Sequence, residues 1–296
     1  MLLERLKLLL QDPPPAMAFE ISEAGIAAAR IESRAELEFH PLKPGTLCIS
    51  PLKENIADPD DFSLAVRALA GAQPSRKRRD VALILPDYSA RLVVLDFDSF
   101  PSDPKERLSL VRFRLKRAVP FDVESAAIGY WEQPAPNKRT TVLAAVASLE
   151  IVSRYEAPFR AAGMLPGLVT LSSLAALELA PEGGLTVLAK IAGRVLSLMV
   201  RDKGVVELAR CLDLPSAELD DIEAVLIPTF VYVEDNLGAR PGKLALCGFG
   251  ARTAEAARRF QQDLGVETEP LRSRLGAPGE NDAGLLGYLR SIAKNN

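Results

Sequence analysis

Histidine is almost absent from this chain, since His40 is the only one in 296 residues. A single imidazole excludes zinc sites that need several histidines and most acid–base relays that are built on one. His40 precedes Pro41 in a stretch that we interpret as a loop, with the side chain at the surface or half buried. The sequence therefore predicts no histidine-based catalytic centre.

The common loops of nucleotide-binding and hydrolytic enzymes are also missing. There is no Gly-x-x-x-x-Gly-Lys-Ser/Thr loop, no Gly-x-Gly-x-x-Gly after a predicted strand and no Gly-x-Ser-x-Gly elbow. Charge is nearly balanced, because 36 basic residues face 39 acidic ones and leave a formal charge of −3. A dedicated nucleic-acid binder is normally clearly basic, so we exclude nucleic acid as a partner.

Cysteine and long apolar runs are scarce. Cys48, Cys211 and Cys247 are odd in number and sit in apolar surroundings, which favours buried free thiols in a reducing compartment, with one disulfide left open. No apolar run approaches the about 20 residues of a membrane span, and no signal peptide is recognisable. We therefore expect a cytoplasmic protein.

Two segments allow a membrane contact. The first ten residues predict a short amphipathic helix that ends before Pro13–Pro15, and it either packs on its own domain or touches a membrane surface or partner. The basic stretch Pro74–Arg79 is either a solvated loop or a contact for anionic lipid head groups or an acidic partner.

Strand–turn–strand patterns occur early in the chain and again in its second half. Residues 17–31 are apolar around a turn at Ser22–Gly25, which predicts a β-hairpin. After a boundary at Pro181–Gly184, three strands are predicted within residues 185–210. Between these patterns, residues 78–163 read as strand, strand, helix, strand, strand and helix, which indicates a compact α+β insertion.

Shorter signals complete the predicted element order. Short strands are expected at residues 47–49, 243–247 and 266–268, and helices at 60–69, 102–119, 149–162, 174–179, 216–233, 253–264 and 285–293.

Four motifs occur in one order along the chain. They are the strand pair Leu83–Arg91, the segment Arg117–Glu124 followed by Tyr130, the join Ala161–Val169 and the glycine-rich turn Cys247–Ala251. Together with the two hairpins, this layout resembles the actin-like ATPases, and within them the PilM family of type IV pilus assembly proteins. The resemblance covers residues 17–293.

The resemblance implies an α/β actin-like fold in which two ribonuclease-H-like lobes surround a cleft and carry an inserted α+β subdomain. Family members bind ATP with magnesium in the cleft, where two hairpins contact the phosphates and a glycine-rich turn covers the adenosine. The implied segments are an N-terminal amphipathic segment 1–15, a first lobe of 16–77 with 164–183 and 280–296, the inserted subdomain 78–163 and a second lobe 184–279.

The hairpins depart from the family pattern where an Asp-Ile-Gly core is expected. The first reads Glu20-Ile21-Ser22 and then Glu23, and the second reads Lys190-Ile191-Ala192. A lysine cannot hold magnesium, since an ammonium has no lone pair, and Ser22 hinders close approach of a phosphate. The residues implied for this degenerate nucleotide cleft are Glu20, Ser22, Gly25, Lys190, Gly193, Gly248 and Gly250.

We therefore expect a cleft with little or no nucleotide, no catalytic residue, no metal and no required cofactor, although ATP with magnesium stays open. Glu20 and Lys190 are expected either to form a salt bridge where magnesium-ATP sits in relatives or to point to solvent. Repulsion between like charges about 4 Å apart is about 4 kcal/mol at intermediate dielectric, which weakens phosphate binding strongly.

The resemblance also implies a partner. In the family, the short cytoplasmic tail of PilN, a single-span membrane protein, lies in a groove beside the inserted subdomain, as extended peptides do on apolar walls and strand edges. We expect a scaffold of the pilus assembly platform, peripheral to the inner membrane, that binds such a tail and other platform proteins, with a homodimer left open. The residues predicted for the groove are Leu83, Leu85, Arg117, Val119, Phe121 and Tyr130.

Three alternatives stay open at this point. The chain is otherwise the cytoplasmic domain of a type II secretion platform protein, an ATPase or sugar-kinase-like phosphotransferase, or a filament-forming protein. The enzyme alternative needs an acidic magnesium ligand in the second hairpin, which Lys190 replaces, and a catalytic carboxylate that the sequence does not identify.

Overall fold

The computed structural model describes residues 14–31, 35–71, 79–133, 140–181 and 183–295. The strands are β1 Met17–Ser22, β2 Gly25–Ile31, β3 Ala35–Pro41, β4 Arg79–Leu85, β5 Arg91–Phe97, β6 Ala126–Gln133, β7 Thr140–Ser148, β8 Met164–Leu171, β9 Thr186–Ala192, β10 Val195–Asp202, β11 Val205–Asp213, β12 Lys243–Cys247 and β13 Glu267–Pro270. The helices are α1 Pro59–Ala70, α2 Pro104–Leu115, α3 Leu149–Ala161, α4 Ser172–Ala176, α5 Leu219–Leu237, α6 Thr253–Leu264 and α7 Ala283–Asn295.

Two five-stranded sheets share one connectivity. The first has the order β3-β2-β1-β4-β8 and the second the order β11-β10-β9-β12-β13. In each, three antiparallel strands are followed by two that run parallel to the first strand of the hairpin. The predicted α/β fold of two similar halves is therefore confirmed, and each half begins with one of the predicted hairpins.

Apolar residues of each sheet build a separate core. The first sheet packs against α1 and α3, where Phe19, Phe62, Tyr155 and Phe159 meet edge to face. The second sheet packs against α5 and α6 around Phe230 and Phe260. These helices have apolar residues at the three- and four-residue spacing of one buried stripe, which is the pattern that predicted them.

The inserted subdomain is a three-stranded sheet of order β5-β7-β6, with α2 on one face. Side chains alternate along β7, so Val142, Ala144 and Val146 pack with α2, while Ala147 joins the core of the first lobe. The Gln133 amide of β6 donates to the Val206 carbonyl and accepts from the Val206 N–H, at 2.9 and 2.7 Å, and so ties the insertion to the second lobe.

Several elements differ from the sequence prediction. The strand β4 and the helix α3 lie in the first lobe and not in the insertion, because β4 pairs with β1 and β8 and α3 packs beside α1. The strands β3 and β8 were not predicted, and Leu47–Ile49 makes only one isolated bridge, from Leu47 to Ile56. The strand β8 carries a proline and a glycine that interrupt any alternation, whereas β3 alternates apolar and polar residues and its pattern was overlooked.

The remaining corrections concern single residues. His40 lies half buried in β3 and not in a loop. All three cysteines are free, as the favoured interpretation held, but Cys48 is exposed, Cys211 is half buried and only Cys247 is buried. The predicted N-terminal helix and most of the basic stretch at residues 74–79 lie outside the described residues.

Candidate functional site

A cleft of about 240 Å³ lies between the two hairpins. Its walls come from the β1–β2 turn, the segment after β4, the β9–β10 turn and the loop before α7. The turns of both hairpins face this space because each hairpin has the same position in the strand order of its sheet. The duplicated topology therefore produces the cleft itself.

Lys190 forms a buried ion pair with Asp87 across this cleft. Its Nζ lies 3.1 Å from Asp87 Oδ2, and the two side chains are 5% and 3% exposed. Asp87 also accepts hydrogen bonds from Ser197 Oγ at 2.9 Å and from the Ser173 N–H at 2.6 Å. Burial alone lowers the pKa of Lys190, but the charges of Asp87 and Glu20 outweigh it and raise that pKa above its ordinary value.

Glu20 is buried beside this pair without being its partner. The Ser172 hydroxyl donates to one oxygen of Glu20, and the Leu285 N–H donates to the other at 2.7 Å. Burial raises the pKa of Glu20 to about 7, although the charge of Lys190 and both hydrogen bonds act in the opposite direction. The cation of the second hairpin is therefore paired with Asp87, and the expected salt bridge between Glu20 and Lys190 is replaced by a longer-range attraction.

Carboxylates also stand against two glycine turns of the cleft. The Glu23 carboxylate lies 3.3 Å from the position that a Cβ on Gly193 would occupy, and Gly193 has a φ of +57°. The Glu280 carboxylate fills the space beside Gly250 in the same way. Both turns are thus faced by acidic groups of this chain at the points where backbone N–H groups would otherwise be free to approach an anion.

Gly248 has a different reason to be a glycine. Its φ is +82°, and any Cβ there would collide with the carbonyl oxygen of Ile191 in β9. The close approach of the β12 end to β9 requires this residue whatever the cleft contains. Its presence is therefore no argument for a bound nucleotide.

Most of the cleft residues predicted from sequence come together. Glu20, Ser22, Lys190, Gly193 and Gly248 line the cavity. The Ser22 hydroxyl donates to the Gly25 carbonyl and accepts from its N–H, so it closes the hairpin turn. Gly25 packs against β3 and Gly250 against Glu280, and neither lines the cavity.

Asp87 is the residue that sequence reasoning missed at this site. It follows β4 in the segment Pro86-Asp87, and its charge directly after the apolar run Val81–Leu85 was the available signal. The parallel strand β8 ends beside it, which brings Ser172 and Ser173 to the same place. Only the pairing of β4 inside the first sheet puts this carboxylate in the cleft.

The charges at the cleft are mostly acidic. Four carboxylates line or border it, from Glu20, Glu23, Asp87 and Glu280, and Lys190, the single cation among the lining residues, is already neutralised. Among the described residues, no group of three or more histidine, cysteine or acidic side chains is arranged to hold a metal ion. A triphosphate would meet like charge at short range here.

A second concave surface, an apolar groove of about 330 Å³, runs between the insertion and the first lobe. Its walls are β6, with Ala127, Ile128 and Trp131, and β8, with Leu168 and neighbouring residues. Both are edge strands, so in the described part of the chain each has one backbone side that pairs with no other strand of its sheet. Trp131 and Leu168 are 39% and 38% exposed.

The six residues predicted for a partner groove are not gathered on this surface. Leu83 and Leu85 are buried, and only Leu85 reaches the groove floor. Val119, Phe121 and Tyr130 pack in the core beneath α2, and Arg117 is exposed just past the end of that helix.

The comparisons with known proteins agree with this architecture. No protein-family model and no curated protein sequence matches the chain. A chain of the solved PilM–PilN type IV pilus biogenesis complex superposes with a TM-score of 0.73 at 19% identity, over 95% of this chain and 99% of that one. The resemblance derived from the sequence motifs is confirmed by this likeness of fold.

Two further solved structures share the fold more distantly, and neither sequence is close. An actin-like ATPase-fold protein of unknown function from Bacteroides thetaiotaomicron gives a TM-score of 0.53 at 12% identity, over 91% of this chain and 94% of that one. The cytoplasmic domain of EpsL, an inner-membrane component of the type II secretion system of Vibrio cholerae, gives 0.50 at 14% identity, over 95% and 94%.

Within the described residues, no helix combines the length and the apolar character that a membrane crossing demands. From the sheets, the cleft and these likenesses together, we conclude that the chain has the actin-like ATPase fold with an inserted subdomain, in the form found in the PilM–PilN complex.

Proposed function

We propose that this protein is a cytoplasmic scaffold of an inner-membrane assembly platform of the type IV pilus kind, which binds the extended tail of a PilN-like single-span membrane protein. The observation that carries the proposal is the apolar groove between the edge strands β6 and β8. The likeness to a chain of the PilM–PilN complex supports the kind of platform and partner.

The groove suits an extended peptide for two physical reasons. Edge strands on both sides offer N–H and C=O groups with which a peptide backbone can pair. The apolar side chains of Ala127, Trp131 and Leu168 can bury every second side chain of a strand that lies between them. Main-chain pairing then supplies affinity, and the apolar walls select apolar side chains.

We further propose that the cleft does not take part through ATP. Lys190 stands where an aspartate would approach magnesium in relatives, and it is held by Asp87. The carboxylates of Glu23 and Glu280 lie against Gly193 and Gly250, so they take the space that phosphate oxygens would need. A triphosphate in this position would meet these carboxylates at short range.

The partner proposal is tested by titrating a peptide into the wild-type protein and into a variant whose groove is filled by a larger side chain. Gly129 lies in β6 along the groove, and a Cβ added there meets no atom within 4 Å, so Gly129→Tyr fills the groove without disturbing the fold. The probe is the N-terminal tail peptide of the PilN-like protein from the same genome. Wild type is expected to bind it and Gly129→Tyr to lose at least about ten-fold in affinity.

Gly242→Tyr is the matched control, since Gly242 is an exposed glycine away from the groove whose added Cβ meets only the Leu185 carbonyl at 3.9 Å. This variant is expected to bind like wild type. Equal binding by the Gly129 variant, or no binding by wild type, would place the partner elsewhere.

A phosphotransfer enzyme is the second candidate, and Asp87 is the observation in its favour, because it puts a carboxylate in the cleft. Its ties to Lys190, Ser173 and Ser197 argue against a free catalytic base. Phosphate release from ATP above background that Asp87→Asn abolishes would support the enzyme instead.

A further inference from the structure

The end of α2 combines an exposed aromatic ring with a cluster of basic side chains. Val111 and Leu115 of this helix are fully buried against the inserted sheet, while Phe113 between them turns outward. At 63% exposure, Phe113 is the most exposed large hydrophobic residue in the part of the chain that the structure describes. A single exposed ring does not by itself mark a contact surface, so the charges that surround it are needed to identify one.

Four of the six residues from Arg112 to Arg117 are basic. Arg112 and Lys116 share the Glu124 carboxylate, at 3.6 and 2.8 Å, and the Arg114 guanidinium lies over the Phe97 ring at 5.4 Å. Arg112 and Lys116 therefore face a single carboxylate. The net charge of this group of three side chains is positive.

The carboxylates around this face do not cancel it. Counting Lys105 from the first turn of α2, the face has five basic side chains against the four carboxylates of Asp103, Glu106, Asp122 and Glu124. The whole chain, in contrast, has more acidic than basic residues. Positive charge is thus concentrated where the chain exposes its most accessible aromatic ring.

We propose that this face, formed by Lys105, Arg112, Phe113, Arg114, Lys116 and Arg117, docks onto the surface of an anionic lipid bilayer. The basic side chains bind lipid phosphates, and the Phe113 ring enters the interface between head groups and acyl chains. Long arginine and lysine stems add apolar cover around the ring.

The shape of the face favours a membrane over an acidic protein. Phe113 projects from a convex helix, and a protein partner would bury little area around one protruding ring. Protein hot spots are normally aromatic residues seated in well-packed pockets. A bilayer needs no such pocket, because lipid heads rearrange around a ring and pair with basic groups in any register.

This surface is separate from the peptide groove. No residue of α2 lines the groove, although Ile128 and Val146 of the sheet belong both to the core beneath α2 and to the groove lining. Membrane docking through α2 thus leaves the groove accessible. The inference goes beyond the proposed function, and its test needs no partner peptide.

Sedimentation with lipid vesicles tests the proposal on the full chain. The protein is expected to bind vesicles of phosphatidylglycerol and phosphatidylcholine, to bind pure phosphatidylcholine vesicles much less, and to dissociate as salt is raised. Phe113→Ser is expected to weaken binding roughly ten-fold. Replacing both Arg114 and Arg117 by Gln is expected to weaken it about 25-fold, at about five-fold for each charge.

Matched controls change the same kinds of residue elsewhere. Leu64→Ser removes an apolar side chain that is 57% exposed on α1, and Lys53→Gln removes an exposed charge. Both are expected to bind vesicles like wild type, and all variants are expected to keep the wild-type thermal transition because the changed groups are exposed.

Three results would overturn the proposal. They are equal binding to neutral and anionic vesicles, wild-type binding by the Phe113 and arginine variants, and binding to soluble poly-glutamate as tight as to anionic vesicles. The last result would assign the face to an acidic protein partner. None of them bears on the peptide groove, which has its own test.

Discussion

The Lys190 ammonium and the Asp87 carboxylate meet at 3.1 Å in the interior of the protein, and they join the second lobe to the first. Both side chains are buried, and Ser173 and Ser197 satisfy the remaining oxygen positions of the aspartate. A charged pair in this setting is costly to break, because either partner alone would be an uncompensated buried charge.

Lys190→Met is therefore expected to lower the free energy of unfolding by about 3–5 kcal/mol. The double change of Lys190→Met and Asp87→Asn is expected to recover most of that loss, since no lone charge remains. Chemical denaturation measures both. Lys43→Met is the control, because Lys43 is 75% exposed in its pair with Asp61, and its loss is expected to cost less than about 1 kcal/mol. A similar loss at both sites would contradict the buried-pair account.

Glu20 predicts an unusual dependence of stability on pH. Its pKa in the folded protein is raised to about 7 from an ordinary value of 4.5, so the folded state binds a proton more tightly than the unfolded state does. The contribution of this group therefore falls as pH rises from about 4.5 to about 7, by roughly 3 kcal/mol, and stays constant above.

Glu20→Gln isolates this effect, because glutamine does not titrate. The variant is expected to gain stability relative to wild type as pH rises from 5 to 8, and denaturation at several pH values measures the difference. A difference that is constant over this range would show that Glu20 titrates normally.

Two glycines of one turn should respond differently to alanine. Gly248→Ala places a Cβ against the Ile191 carbonyl at a positive φ, so we expect a loss of about 3 kcal/mol in unfolding free energy. Gly250→Ala meets only the movable Glu280 side chain, and we expect about 1 kcal/mol from backbone strain. Thermal denaturation of both compares them directly. Equal losses would mean that Gly248 has no special packing role.

The two hydrogen bonds between Gln133 and the Val206 backbone are expected to stabilise the contact between the insertion and the second lobe. Gln133→Leu removes both hydrogen bonds to Val206 and leaves the Val206 N–H and C=O without these partners, so we expect a loss of about 2 kcal/mol. Gln261→Leu, which removes one 3.4 Å bond from the Thr268 N–H at the surface, is expected to cost less than half of that. Denaturation curves that overlay for the two variants would argue against the attachment.

Local patterns were sufficient to predict the hairpins and the main helices, and the fold class came from the resemblance of the ordered motifs to a known family. The hairpin at residues 17–31 has apolar residues on both sides of a Ser-Glu-Ala-Gly turn, and the same pattern recurs after residue 184. The strand β3 was missed although its residues alternate between apolar and polar, and its apolar Leu37 and Phe39 are themselves exposed on a sheet edge. The strand β4 was placed in the insertion because a sequence does not say which sheet a buried strand joins.

The sequence predicted residues that line the candidate site. It did not predict which residues form the ion pair there. The departures Glu20, Ser22 and Lys190 from the family pattern identified the cleft, and they line it. The partner of Lys190 is 103 residues away in the chain, at Asp87, and no spacing rule connects them. The groove likewise arises where edge strands from two sheets face each other, which depends on the packing of the insertion on the first lobe.

Calorimetric titration with ATP and magnesium tests the central claim, that the cleft is closed to nucleotide by its own charges. At nucleotide concentrations up to about 1 mM, we expect no saturable heat, because Lys190 is paired with Asp87 and the carboxylates of Glu23 and Glu280 face the glycine turns. Micromolar affinity that depends on magnesium, and that Lys190→Met alters, would contradict the account.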